Sequence, residues 1–137
     1  MKAIKNIRLR HYDYSQDGYY FVTICTNRHH SLSTELREII TNDILNLSKI
    51  EGVEVDYSVV MPTHVHLIIV LNDCSLHLGE IVRRFKASSS REAGFKLWQP
   101  NYYQHVIRNE RALLRIREYI QNNPLKESID FESIYRV

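Results

Sequence analysis

Hydrophobic residues recur along this chain in two rhythms, and the switches between them divide it into elements. Residues 19–26 (YYFVTICT) are β-branched and aromatic, follow Asp17-Gly18, and predict a first strand. From Thr34 the spacing lengthens. Leu36, Ile39, Ile40, Ile44 and Leu47 fall at helical intervals, with Gly52 as a stop. Val53–Val60 and His64–Leu71 are strand-like runs separated only by Met61-Pro62-Thr63, which predicts a central antiparallel hairpin. A second helix fits residues 76–93, with Leu78, Ile81, Val82 and Phe85 on one side and Arg83, Arg84, Lys86 and Arg91 over the rest. After a linker containing Trp98 and Pro100, residues 102–108 (YYQHVIR) predict a fourth strand. Residues 110–123 predict a last helix with Leu113, Ile116 and Ile120 in its apolar stripe, and Pro124 disfavours helical geometry at Asn123 and ends it.

The order strand, helix, strand, strand, helix, strand is the ferredoxin-like α+β plan, an antiparallel sheet with helices on one face, here followed by an extra C-terminal helix. The other sheet face is then left for a ligand. With 137 residues, 44% of them hydrophobic, the chain suffices for one ordinary core, so residues 1–137 are expected to form a single domain. There is no internal repeat or low-complexity tract. Eighteen Lys and Arg against sixteen Asp and Glu leave a net charge of +2, so any basic surface must be local. Cys25 and Cys74 share no CxxC spacing and read as thiols of a reducing compartment rather than a disulfide framework. The basic N-terminus lacks the apolar run of a secretory signal, and the longest apolar stretch, residues 65–71, is far too short to span a bilayer. A soluble, cytoplasmic protein with no membrane partner is the expectation.

The candidate chemistry begins at His64-Val65-His66. The period of two in a strand points both imidazoles to one face, close enough to share a metal ion, although strand-end histidines also serve simply as hydrogen-bonding groups. On the last helix Tyr119 and Asn123 are four residues apart, about 40° from each other around the axis, and flank the apolar stripe. If that helix packs near the histidines, Asn123 can add an oxygen ligand. A mixed nitrogen and oxygen set suits Mg²⁺ or Mn²⁺ and would also accept zinc. Tyr119 reads equally as an extension of the core stripe. A tyrosine of pKa near 10 is a poor nucleophile at neutral pH, so its attack on a phosphodiester would need a cation that draws charge from the phosphate. No P-loop, GxSxG, HExxH or paired-cysteine zinc pattern points elsewhere.

Met61-Pro62-Thr63-His64-Val65-His66-Leu67 closely resembles the Met-Pro-Asn-His-Val-His-Leu signature of the bacterial single-tyrosine transposases. The segments YDYSQDGYYFVTICT, LGEIVRRFK, LWQPNYYQHVIRN and IREYIQNNPLK resemble, in this order, segments of the REP-associated branch of that family, and together they run from Tyr12 to Lys126. The resemblance implies a ferredoxin-like fold and cleavage of single-stranded or hairpin DNA through a covalent 5′-phosphotyrosine that releases a 3′ hydroxyl. It assigns metal binding to His64 and His66, the nucleophile to Tyr119, and a polar metal ligand to Asn123. Thr63 departs from the usual Asn. The chain also ends soon after Pro124, without C-terminal residues that longer relatives use for DNA recognition.

Phosphate contacts are expected from Arg8 and Arg10 in the N-terminal arm, from Arg83, Arg84 and Lys86 on the second helix, and from Arg108. Trp98, Tyr102 and Tyr103 are candidates for stacking an unpaired base, and His105 for approaching the site. Each of these residues reads also as solvated helix face or ordinary core. Two rival functions use the same residues: a domesticated, inactive DNA-binding module, and a metal-dependent nuclease that activates water while Tyr119 is structural. A monomer and a homodimer both fit, because the path of the chain before Glu110 decides which subunit's site Tyr119 completes.

Overall fold

The computed structural model of the protein describes residues 16–122; Arg8, Arg10 and Asn123 lie outside them. Four strands, β1 (Gly18–Cys25), β2 (Val53–Val60), β3 (His64–Leu71) and β4 (Tyr103–Ile107), form one antiparallel sheet in the order β2-β3-β1-β4. Among the described residues three α-helices accompany it, α1 (Thr34–Leu47), α2 (Leu78–Ala93) and α3 (Glu110–Asn122), together with a single 3-10 turn at Asn27–His29. This is the ferredoxin-like arrangement expected. Ser33 starts α1 by accepting a hydrogen bond from the Leu36 amide at 3.2 Å, one of the first-turn donors that has no partner within a helix. α1 stops at Leu47, earlier than Gly52. At Gly52 the backbone turns with φ of 86°, and a Cβ there would lie 2.7 Å from Cys74 Cα and 2.8 Å from the Asn72 carbonyl, so only glycine fits.

Alternation along the strands sorts side chains between two cores. Tyr20, Val22 and Ile24 of β1 and Val65, Leu67, Ile69 and Leu71 of β3 face α1 and α2. There they meet Ile40, Ile44, Ile81, Val82 and Phe85. Tyr19 and Phe21 of β1 and Ile68 and Val70 of β3 face the other way and pack under Ala112, Leu113, Ile116 and Ile120 of α3. The second face is thus not left bare, as the pattern alone suggested. The stripe of α3 must be buried somewhere, and after β4 that sheet face is the apolar surface within reach.

One irregularity lets β2 serve both cores. The β2–β3 register shifts between Val55 and Tyr57, so Asp56 is an extra residue in the strand. Before it Val53 and Val55 belong to the α1 side, and after it Tyr57 and Val59 pack on the α3 side. Asp56 meets Arg117 of α3 in a two-pronged ion pair, one prong being Nε to Oδ2 at 2.8 Å and the other joining Nη2 to Oδ1. Such fork-to-carboxylate pairing fixes direction as well as distance and ties α3 to the sheet's β2 edge.

Candidate functional site

β3 starts at His64, and its odd and even positions divide as a strand requires. His64 and His66 therefore stand on the α3 side, at the end of the sheet that α3's apolar stripe leaves to polar groups. Their ring centroids are 4.7 Å apart with planes at 69°, and the two residues are 5% and 2% exposed. The turn that launches them is clamped. Met61 donates its amide to the His64 carbonyl at 2.7 Å, Thr26 donates its amide to the Thr63 carbonyl at 2.9 Å, and Leu32 donates to the Pro62 carbonyl at 2.8 Å.

His66 is oriented from across the sheet. Thr23 on β1 is its register partner, and Thr23 Oγ1 lies 2.9 Å from His66 Nδ1. Phe21 stacks on the same ring at 5.4 Å. When Nδ1–H donates to the threonine oxygen, the lone pair on Nε2 is left for a cation. His64 Nδ1 has a longer contact to Thr63 Oγ1, 3.4 Å. The Nε2 atoms of both rings are buried and make no hydrogen bond among the described residues. In their neutral form, imidazoles tethered through Nδ1 in this way are a donor pair that fits a divalent metal ion. No third His, Cys, Asp or Glu completes a metal-binding group among the described residues.

Tyr119 reaches the same sheet face by a short route. β4 ends at Ile107, opposite Tyr19, and α3 begins at Glu110 after only Arg108 and Asn109. Asn109 caps the helix, its Oδ1 accepting from the Ala112 amide at 2.8 Å. The helix packs on its own chain's sheet. Tyr119 is nine residues past Glu110, about 13.5 Å along a helix, and Thr23 is four residues past Tyr19, roughly 13 Å along a strand. α3 therefore carries its tyrosine back towards the His66 end. There Tyr119 packs half-buried against the α3-side core, as do Tyr57 and Val59. Burial pushes its phenol pKa above the usual 10, so the hydroxyl keeps its proton at neutral pH.

The basic candidates are more scattered. Arg83 and Arg84 both pair with Glu80 on α2, at 2.7 and 2.8 Å, and their hydrogen bonds hold that exposed carboxyl at about 2. The Lys86 ammonium donates to the carbonyls of Gln99, Pro100 and Asn101 at 2.6, 3.0 and 3.5 Å, which binds the linker before β4 to α2. Arg108 follows Ile107, at the opposite end of the sheet from His64. His105 is buried on the histidine-bearing face but stands on β4, opposite Phe21 and separated from β3 by β1. Trp98 is no stacking platform. It is 2% exposed, lies 5.7 Å from Phe85, and donates its indole N–H to Ser89 Oγ at 2.7 Å. Tyr103 is 50% exposed and Tyr102 half-buried.

Sequence reasoning missed Thr23 and the Asp56–Arg117 pair. Thr23 had a signal, a hydroxyl at an odd position in an otherwise apolar strand, but its use depends on which strand lies beside it. Asp56 is one carboxylate in a strand that alternates, and nothing local marks it as the extra residue.

Among the described residues no helix is long and apolar enough to cross a membrane. Residues 13–123 match the family described as IS200-like transposases. The chain is 37% identical to an uncharacterized Haemophilus influenzae protein, covering 88% of each. It is 29% identical to the REP-associated tyrosine transposase of Escherichia coli K12, over 82% of this chain and 70% of that one. Among solved structures, a REP-associated tyrosine transposase bound to a REP hairpin superposes with a TM-score of 0.74 at 28% identity, covering 88% of this chain and 74% of that one. A putative transposase from Deinococcus radiodurans R1, 24% identical, shares the fold with a TM-score of 0.57, covering 84% of this chain and 95% of that one. With these matches over most of its length, the chain belongs to the IS200-like transposase family.

Proposed function

We propose that this protein cleaves and rejoins single-stranded or hairpin DNA through a 5′-phosphotyrosine on Tyr119, with Mg²⁺ or Mn²⁺ held by His64, His66 and Asn123. The observation that carries this reading is the placement of His64 and His66 side by side on the sheet face that receives the helix bearing Tyr119, in a chain of this family. A DNA hairpin as the substrate class is supported by the structural relative bound to one. When bound, the divalent ion supplies positive charge that withdraws electron density from a scissile phosphate.

The chain's own residues divide the remaining work. Tyr119 Oη bonds to phosphorus while the bond from phosphorus to the upstream O3′ breaks. The phenol proton is released, and the departing O3′ takes up a proton to become a 3′ hydroxyl. Rejoining reverses these bond changes, so the phosphotyrosine conserves the phosphodiester's energy. Thr23 and Phe21 hold the His66 ring, Asp56 and Arg117 hold the helix, and Arg8, Arg10, Arg83, Arg84, Lys86 and Arg108 are the proposed phosphate contacts, which makes binding strongly salt-dependent.

The test is incubation with Mn²⁺ or Mg²⁺ and end-labelled hairpin oligonucleotides, followed by a denaturing gel and peptide mapping. A DNA adduct on Tyr119 and its loss in Tyr119→Phe, with DNA binding retained, are expected. Persistent nicking by purified Tyr119→Phe would overturn the phosphotyrosine in favour of activated water.

A further inference from the structure

α3 meets the sheet in two ways, and they restrain it differently. Ala112, Leu113, Ile116 and Ile120 press on Tyr19, Phe21, Ile68 and Val70 through apolar contact. Such contact has no direction, so by itself it leaves the helix able to roll about its axis. Arg117 adds a direction. Its guanidinium engages both carboxylate oxygens of Asp56, Nε to Oδ2 at 2.8 Å and Nη2 to Oδ1, and this two-pronged fit holds only over a narrow range of angles. The two side chains are 33% and 15% exposed, so the pair is partly sheltered from screening by salt. Tyr19 lies near it: burial first, and the Asp56 carboxylate second, push that phenol above its usual 10.

The helical repeat puts Arg117 and Tyr119 on opposite flanks of the apolar stripe. Turning one way from Arg117, Ile120 comes at about 60°, Ile116 at about 100° and Tyr119 at about 160°. The stripe lies between them. A roll that lifts the Arg117 flank therefore presses the Tyr119 flank towards the sheet, and the reverse. A tyrosine hydroxyl stands roughly 8 Å from a helix axis, so a roll of about 10° moves it by ~1.4 Å. Misplacing a reacting group by ~1 Å costs about a hundredfold in rate. Ordinary alternation does not place Asp56 either. The register shift between Val55 and Tyr57 makes it the extra residue of an edge strand, and such a bulge re-aims the side chain it carries, here to α3. We infer that Asp56 and Arg117 are positioning residues for Tyr119, the pair setting the roll of α3 and thereby the place of the phenol oxygen relative to His64 and His66. The inference rests on the reading of Tyr119 as the nucleophile and adds the device that aims it.

Arg117→Lys keeps the charge and loses the fork, and Asp56→Ala removes the anchor. Both variants and the double variant are given a labelled hairpin with an unpaired flank in Mn²⁺. The rate of Tyr119 adduct formation at saturating hairpin, the hairpin affinity and the urea midpoint are measured for each. Each single variant should form the adduct roughly thirtyfold more slowly per folded molecule, with hairpin affinity held within about twofold, because what is lost is aim rather than binding. The double variant should be no slower than the slower single one, since the same pair is broken in all of them. Losses that add in the double variant overturn the inference. Weaker hairpin binding in Arg117→Lys, with Asp56→Ala unaffected, also overturns it and makes Arg117 a phosphate contact. A lower urea midpoint with the rate per folded molecule preserved overturns it in favour of a purely structural pair. The two readings fail in distinguishable ways. An unaltered protein that cleaves the hairpin without an adduct on Tyr119 removes the nucleophile and this inference with it, whereas an adduct formed equally fast by every variant removes the inference alone.

Discussion

The two faces of β3 carry alternate residues of one eight-residue strand, yet they have different tasks. Towards α1 and α2 stand Val65, Leu67, Ile69 and Leu71, every one 0% exposed, and that face is core from end to end. Towards α3 stand His64, His66, Ile68 and Val70, a face that is core at one end and a pair of imidazoles at the other. The first face holds the sheet together, so the second can carry polar groups in the interior. Each histidine is kept in place by the rigid strand beneath it as much as by its neighbours.

This contrast can be broken most sharply at His66. Replacing His66 by Ala should lower metal-dependent cleavage by roughly a thousandfold, about 4 kcal/mol, while the far-ultraviolet circular dichroism stays native. Cleavage within tenfold of the unaltered protein would remove His66 from the site. Ile69→Ala, on the opposite face, should do the reverse. It should lower unfolding free energy by about 3 kcal/mol in urea titration, as expected when a fully buried chain is truncated, and leave the activity of the folded fraction unchanged.

The α1–α2 side has its own polar exception, and it sharpens the comparison. Asp43 of α1 is 5% exposed, with Ser88 Oγ of α2 3.1 Å from its Oδ1 and also 3.1 Å from Glu92 Oε1. Burial first, and the Glu92 carboxyl second, push its pKa from 3.8 up to about 6. The folded state thus binds the proton more tightly than the unfolded chain. The associated stability is complete below pH 3.8 and is lost as pH rises through about 6. Asp43→Asn should therefore raise stability at pH 7 by about 2 kcal/mol and flatten the pH dependence of thermal unfolding across that window. An unchanged profile would show that Asp43 titrates normally. The smallest effect is expected at Thr23→Val, which removes the oxygen beside His66 Nδ1. Metal affinity should fall about tenfold by calorimetry, with the fold intact.

Much of this was legible in the residues. Periodicity located the four strands and three α-helices of the described residues, because each lies between turn residues and buries at least one face. The His64–His66 pair was legible because strand alternation is a local rule, and the position of Tyr119 beside the apolar stripe because helical spacing is another. What escaped depends on which elements become neighbours. The hydrogen bonds from Lys86 to the 99–101 carbonyls form only once the linker folds over α2, and the place of Arg108 at the end of the sheet opposite His64 follows only from the register. Trp98 reads as a platform for bases until α2 covers it. The second home of α3 followed the same logic, since an apolar stripe states that a partner is needed without naming it.

The extra residue in β2 bears on how this gene can tolerate change in length. Because Asp56 reverses the parity of the strand, Val53 and Val55 answer to one core and Tyr57 and Val59 to the other. Deleting the codon for Asp56 would join Val55 directly to Tyr57, opposite the consecutive Ile69 and Ile68, and so keep both pairs on their own faces while removing the carboxylate that Arg117 grips. A codon inserted in the turn beyond Val60 would leave both halves of the strand in step. Loss of a residue and loss of packing register are thus separate events in this strand, and the aspartate is a place where the first can occur without the second.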